Sequence, residues 1–208
     1  MTGMKISVVM TVYDNARELE ANLPAYLSQD YAPGYEVIVV DKSSTNDTDD
    51  VLTRLKCPQL YTTFLPRPNL MVSRQRMALT IGVKAAKGEW VVFADINTPP
   101  PSAQWLAELD EYTTTQTAAM LGYIKTNGDV KLQLFSEVNR TRAIVGKTER
   151  RQANGHKGSR LRYLRGKYDF VAVRSKQAHD LLRYFELDIR GWHLFSHRLR
   201  VACYNLTH

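Results

Sequence analysis

Val37-Ile38-Val39-Val40-Asp41 and Trp90-Val91-Val92-Phe93-Ala94-Asp95 are two apolar runs that each end on an aspartate. Short, continuous apolar runs suit strands buried on both faces, as in a parallel sheet covered by helices. A small polar loop and then a helix-like stretch follow each aspartate. In such a sheet the strand ends line up along one edge, and ligands bind there. Two carboxylates delivered to that edge, one beside an amide as Asp95-Ile96-Asn97, suit recognition of a nucleotide and its metal.

The surrounding first half alternates strands with helices, the pattern of a mostly parallel sheet flanked on both faces. Strands are predicted over Lys5 to Val12, Tyr35 to Val40, Leu60 to Leu65 and Glu89 to Ala94. Helices are predicted over Ala16 to Gln29, with Pro24 as a kink, and from an Asp47 cap to about Lys56. A third helix runs from Val72 to Ala86, stopped by Gly88, and a short one follows a Ser102 cap through Leu109.

The second half gives weaker signals. Ala118 to Ile124 and Tyr168 to Val173 read as strands, and Ser175 as the cap of a helix to Phe185. Asn127-Gly128 could turn a hairpin into Val130 to Phe135. Leu134, Val138, Arg142 and Val145 instead recur at helical spacing, and a helix over about 130 to 147 is the favoured reading. Glu149 to Lys167 reads as a mobile loop and Trp192 to Cys203 as helical. There is no internal repeat and no interdomain linker, so residues 1–208 are taken as one domain.

The 208 residues suffice for a proper core, and 44% apolar with 24% charged residues is ordinary for a soluble globular chain. No stretch approaches the roughly 20 apolar residues of a membrane span, and Met1 to Val12 reads as a strand, not as a signal peptide. Cys57 and Cys203 lack metal-type spacing, so a reduced, cytoplasmic setting is expected. The net charge of +7 is uneven. Residues 1–110 carry 10 Lys/Arg against 13 Asp/Glu, and residues 111–208 carry 18 against 8. Between 139 and 167, ten bases from Arg140 to Lys167 face Glu149 alone. Such a stripe attracts phosphate in some form or is a solvated basic face. Nucleic acid is the disfavoured partner, because Tyr163 is the one aromatic among those bases and a stacking platform needs several.

The order of blocks resembles the family 2 glycosyltransferases of the GT-A fold. Ile6-Ser7-Val8-Val9-Met10-Thr11-Val12-Tyr13-Asp14 looks like the family's opening strand and first nucleotide-binding loop. Gln29-Asp30-Tyr31, then Tyr35 to Asp41 and the polar run Ser43 to Thr48, look like its second block. Ala85-Ala86-Lys87-Gly88-Glu89-Trp90, leading to Asp95-Ile96-Asn97, looks like the approach to its metal-binding D-x-D motif. The likeness covers about residues 4–110, and the combination in order is its specific feature.

The resemblance implies a nucleotide-diphosphate-sugar site in residues 4–110 and an acceptor side in 111–208. Thr11 and Tyr13, with Asp14, would line the base and ribose pocket, and Asp41 would accept from a uracil or guanine edge. Asp95 would meet the ribose or the metal-bound diphosphate, with Asn97 where the second metal-ligating acid belongs. The implied cofactor is Mg²⁺ or Mn²⁺, the donor a UDP- or GDP-sugar, and the acceptor a glycan or lipid-linked saccharide. Localisation would be cytoplasmic, with peripheral contact to the inner membrane face through the basic 140–167 segment.

Three departures from the family pattern bear on activity. Asn97 binds a hard cation less strongly than a carboxylate would. The family's arginine near position 79 is replaced by Leu79-Thr80, leaving Arg74 or Arg76 to reach a phosphate. No late acidic pair supplies the catalytic base. His193 stands at that place, four residues before His197, and Asp188, with Glu186 nearby, is the competing acid. Lys42 sits where a second acid is commoner; it could pair with Asp41 or point to solvent, and solvent is the favoured reading. The expected function is an inverting, metal-dependent sugar transferase; the alternative is a binding module that retains the fold and has lost catalysis.

Overall fold

The structure is a computed structural model that describes residues 4–66, 74–115, 117–124, 130–137, 169–178 and 199–206. Its strands are β1 (Ile6–Val12), β2 (Tyr35–Asp41), β3 (Leu60–Phe64), β4 (Trp90–Ala94), β5 (Thr117–Ile124), β6 (Val130–Glu137), β7 (Phe170–Arg174) and β8 (Leu199–Leu206). Its helices are α1 (Ala16–Leu27), α2 (Thr48–Arg54), α3 (Arg74–Ala85) and α4 (Trp105–Asp110). The strands form one sheet in the order β3-β2-β1-β4-β7-β5-β6-β8. From β3 to β4 every pairing is parallel; from β4 onward every pairing is antiparallel.

The parallel half forms because its strands are apolar on both faces. Val8, Met10 and Val12 turn toward Leu19 and Leu23 of α1, Val51 and Leu52 of α2, and Trp105 and Leu106 of α4. Val9, Ile38, Val40, Val91 and Phe93 turn the other way, onto Ala78, Leu79 and Val83 of α3. Flanking on both faces is thus observed as expected. Around Ser7 and Glu36 the polar groups that enter this core are bonded. Ser7 Oγ donates to Glu36 Oε1 at 2.7 Å, and the Lys87 and Gly88 amides donate to Glu36 and Ser7.

Several local expectations are corrected. Asp47 stands at the start of α2 without a side-chain capping bond; Asn46 Oδ1 instead accepts from the Thr48 amide at 3.1 Å and from its hydroxyl at 2.6 Å. Gly88 is needed for close approach, since a Cβ there would lie 2.7 Å from backbone atoms of Ile6 and Ser7. Ser175 donates to the Gly88 carbonyl and tethers β7 to the loop before β4. One helical turn follows at 175–178; residues 179–185 lie outside the described residues.

The helix favoured from Val130 is overturned: β6 is a strand, paired with β5 from Ile124↔Val130 to Thr117↔Ser136. Val130 and Leu132 are buried while Lys131 between them is exposed, the two-residue period of a strand. The helical reading joined Leu134 to Val138, Arg142 and Val145, which lie outside the described residues. Likewise 199–203, expected to be helical, belong to β8, which pairs antiparallel with β6. Asn127-Gly128, the 149–167 loop and the whole basic stripe from Arg140 to Lys167 fall outside the described residues.

Candidate functional site

The parallel pairing sets the candidate site. β1 lies between β2 and β4, with Val12 opposite Asp41 and Val9 opposite Phe93. Asp41 and Asp95 therefore emerge at the same carboxyl edge, on either side of β1. There they flank the loop after β1 that carries Tyr13 and Asp14.

That edge is held by a chain of short bonds. The Asp41 carboxylate accepts from the Ser44 amide at 3.0 and 3.1 Å and from Ser44 Oγ at 2.5 Å. Ser44 Oγ in turn accepts from the Asp14 amide at 2.9 Å, and Asp14 Oδ1 accepts from the Thr45 amide at 2.6 Å. Asp14 and Ser43 hold φ of 55° and 64°, a left-handed region that costs non-glycine residues free energy. The bonds between the β1 and β2 loops hold that geometry in place. Tyr13 is half exposed, its ring free to face a ligand, while its amide donates to Asn15.

On the β4 side, Asp95 Oδ1 accepts from the Asn97 amide at 3.0 Å and from Asn97 Nδ2 at 2.6 Å. Tyr26 of α1 donates to the Thr98 carbonyl at 2.6 Å, and Asn22 donates to that of Ile96 at 2.8 Å. Burial, aided by the charges of Asp95 and Asp169, pushes the Tyr26 phenol up, so it stays a donor. The loop bearing Asp95 and Asn97 is therefore clamped to α1. Neither Tyr26 nor Asn22 was singled out from sequence, because an apolar helix face gives no sign of which polar tip reaches a loop.

The α3 side brings in two further residues. Gln75 Oε1 accepts from Thr11 Oγ1 at 3.0 Å and from Lys42 Nζ at 2.9 Å. Arg74 donates to the Lys42 carbonyl. Lys42 is thus not directed to solvent as expected: it follows Asp41 on the face that packs against α3. Its ammonium is shifted below the ordinary lysine range by burial and then by Arg74, against the opposing pull of Asp95 and Asp41. Asp41 and Asp95 therefore both act electrostatically on one lysine. Gln75 carried no sequence signal; its role depends on how α3 docks.

A divalent cation would find Asp95 and Asn97 here, and no group of three His, Cys, Asp or Glu able to cage one occurs among the described residues. One carboxylate and one amide oxygen fit a hard cation that arrives with a diphosphate and keeps several waters. They do not amount to a resident all-protein cage. His193, Asp188, Glu186 and His197 lie outside the described residues. No helix among the described residues is long and apolar enough to cross a membrane.

Known proteins sharpen this picture. The chain is 34% identical over 95 residues to an uncharacterized glycosyltransferase of Nostoc sp., covering 44% of this chain and 28% of that protein. The structure of S. aureus TarS 1-349 in complex with UDP superposes with a TM-score of 0.57 at 19% identity, over 90% of this chain and 53% of that one. A 4-diphosphocytidyl-2C-methyl-D-erythritol synthase from Anaerococcus prevotii superposes at 0.50 with 12% identity, over 89% and 78%. The chain thus spans 28% of its curated relative's length and about half of TarS 1-349. Those two structural likenesses establish the fold and leave the reaction open. The family model of glycosyl transferase family 2, by contrast, matches residues 7–170, which takes in β1, β2 and β4 with both strand-end aspartates, and the chain belongs to that family.

Proposed function

We propose that this protein transfers a sugar from a nucleotide-diphosphate-sugar donor to a glycan or lipid-linked acceptor. The carrying observation is the placement of Asp41 and Asp95 on either side of β1 at one carboxyl edge, within the family's matched span. Asp41, preset by Ser44, accepts from the N–H of a uracil or guanine base, and Tyr13 offers its ring to that base. Thr11 and Asp95 lie beneath the ribose, and Arg74 reaches toward phosphate.

The reaction is displacement at the anomeric carbon, inverting, with residues 111–208 on the acceptor side. Asp95 and Asn97 would hold a Mg²⁺ or Mn²⁺, which when bound neutralises charge on the leaving diphosphate. The acceptor hydroxyl loses its proton to a base, for which His193 and Asp188 are the candidates. The basic 140–167 segment offers an anionic membrane or lipid diphosphate a complementary surface. The site faces the cytoplasm in this reading.

Product formation from UDP- or GDP-sugars, with and without Mn²⁺, tests this reading. No turnover on any donor together with tight nucleotide binding favours the alternative, a binding module that has lost catalysis. The Asn97 amide, which donates to Asp95 where the family places a second acid, is the observation behind that alternative. His193→Ala separates the two further: a catalytic base lowers kcat far more than nucleotide affinity.

A further inference from the structure

Lys42 carries a charge that the described part of the site leaves open. An ammonium has three donors, and one is used here, on Gln75 Oε1 at 2.9 Å. The same oxygen accepts from Thr11, so one glutamine fixes the lysine against the end of β1. Arg74 donates to the Lys42 carbonyl and brings a second cation to the same corner. The ion pairs among the described residues are Lys5–Asp110 and Arg54–Glu20, so neither Asp41 nor Asp95 closes a salt bridge with Lys42. Two like charges in partial burial repel until an anion joins them.

Two unusual residues act in the same direction. An amide at 97 in place of an acid removes one negative charge from the edge, and a lysine at 42 in place of an acid adds a positive one. A diphosphate approaching Asp41 and Asp95 would meet repulsion, which a fixed cation between them offsets.

We propose that Lys42 is a phosphate-binding residue, its ammonium held by Gln75 as a standing positive charge for the diphosphate of a nucleoside-diphosphate donor. This rests on the nucleotide-sugar reading. It adds that the chain grips the diphosphate partly through its own residues, without a divalent cation.

The test is binding of UDP and of uridine in EDTA, UDP by calorimetry and uridine by ligand-detected NMR titration, which reads millimolar affinities. The wild-type chain should prefer UDP by about tenfold or more, as expected for a charge-assisted bond. Lys42→Met should remove most of that preference with uridine affinity unchanged, and Lys42→Arg should restore much of it. Should Lys42→Met fail to fold, Gln75→Leu, which frees the ammonium, should lower the preference severalfold. A merely structural lysine would weaken both ligands together, and an unchanged UDP-to-uridine ratio overturns the proposal while leaving the donor reading intact. A wild-type chain that binds neither UDP nor GDP, with or without Mn²⁺, overturns both.

Discussion

The two halves of this sheet are built on different rules. Between β3 and β4 the strands are parallel, and β1, β2 and β4 are buried on both faces between α3 and the other helices. Between β7 and β8 they are antiparallel, and β6 alternates buried Val130 and Leu132 with exposed Lys131. The first arrangement aligns strand ends and so collects loops at one edge, where both aspartates emerge. The second sends successive strand ends to opposite edges, so its loops do not gather in the same way. The edge that carries both aspartates consequently lies in the parallel half.

Paired substitutions test that contrast most strongly. In β1, Val8 and Val9 are both fully buried, so Val8→Ala and Val9→Ala should each cost about 2 kcal/mol in chemical denaturation. In β6, Leu132→Ala should cost about 2–5 kcal/mol and Lys131→Ala less than about 0.5 kcal/mol. Comparable losses at 131 and 132 would break the one-sided reading of β6.

Next in size is Asp95→Ala. It should weaken UDP or GDP binding by roughly 100-fold, the scale of a lost charged contact with its stranded partner, while the melting transition stays cooperative. Unchanged affinity by calorimetry would remove Asp95 from the site.

Glycine substitutions sharpen the comparison through packing. A Cβ at Gly88 would meet the β1 backbone at 2.7 Å, whereas one at Gly122 would lie 1.9 Å from the Phe170 ring. Phe170 is itself wedged edge-on against Trp105, which packs on Tyr26. Both Gly→Ala changes should therefore destabilise, each by about 1–3 kcal/mol. Adding Phe170→Leu should relieve Gly122→Ala in a double-mutant cycle and leave Gly88→Ala unrelieved.

The smallest effect concerns acid. Lys5, just before β1, reaches Asp110 at the end of α4, 2.6 Å from Oδ1. Burial alone would raise the Asp110 carboxyl, but bonds from Lys5 and Thr113 outweigh it and hold the group below its usual range. A depressed carboxyl stabilises the fold above its unfolded value, roughly 3.9, and that stability is lost as pH falls through the folded value. Asp110→Asn should thus cost up to about 1 kcal/mol at neutral pH, with the difference from wild type shrinking in melts taken below about pH 4.

Legibility followed the same division. Apolar runs ending at Asp41 and Asp95 located β2 and β4 almost to the residue, because burial on both faces leaves no other pattern available. From Val130 the chain was ambiguous: a strand with one buried face shares apolar positions with a helix, and only the partner strand β5 decides which period applies. Asp41, Asp95, Tyr13 and Asp14 were legible as neighbours at one carboxyl edge because each stands at or just beyond the end of a parallel strand. Lys42 was misread as solvent-directed, and Gln75 was invisible, since both depend on α3 reaching β1 and β2 across a long stretch of chain.

By itself, then, the sequence determined the parallel half, the family's blocks in order and the two carboxylates at one edge, all of which are local patterns of apolarity and turn. Tertiary structure decided the antiparallel half, the clamping of Asp95's loop by Tyr26, and the capture of Lys42 by Gln75. Those are pairings between residues distant in the chain, and a strand's partner or a side chain's bond is fixed only when the core brings the two ends together.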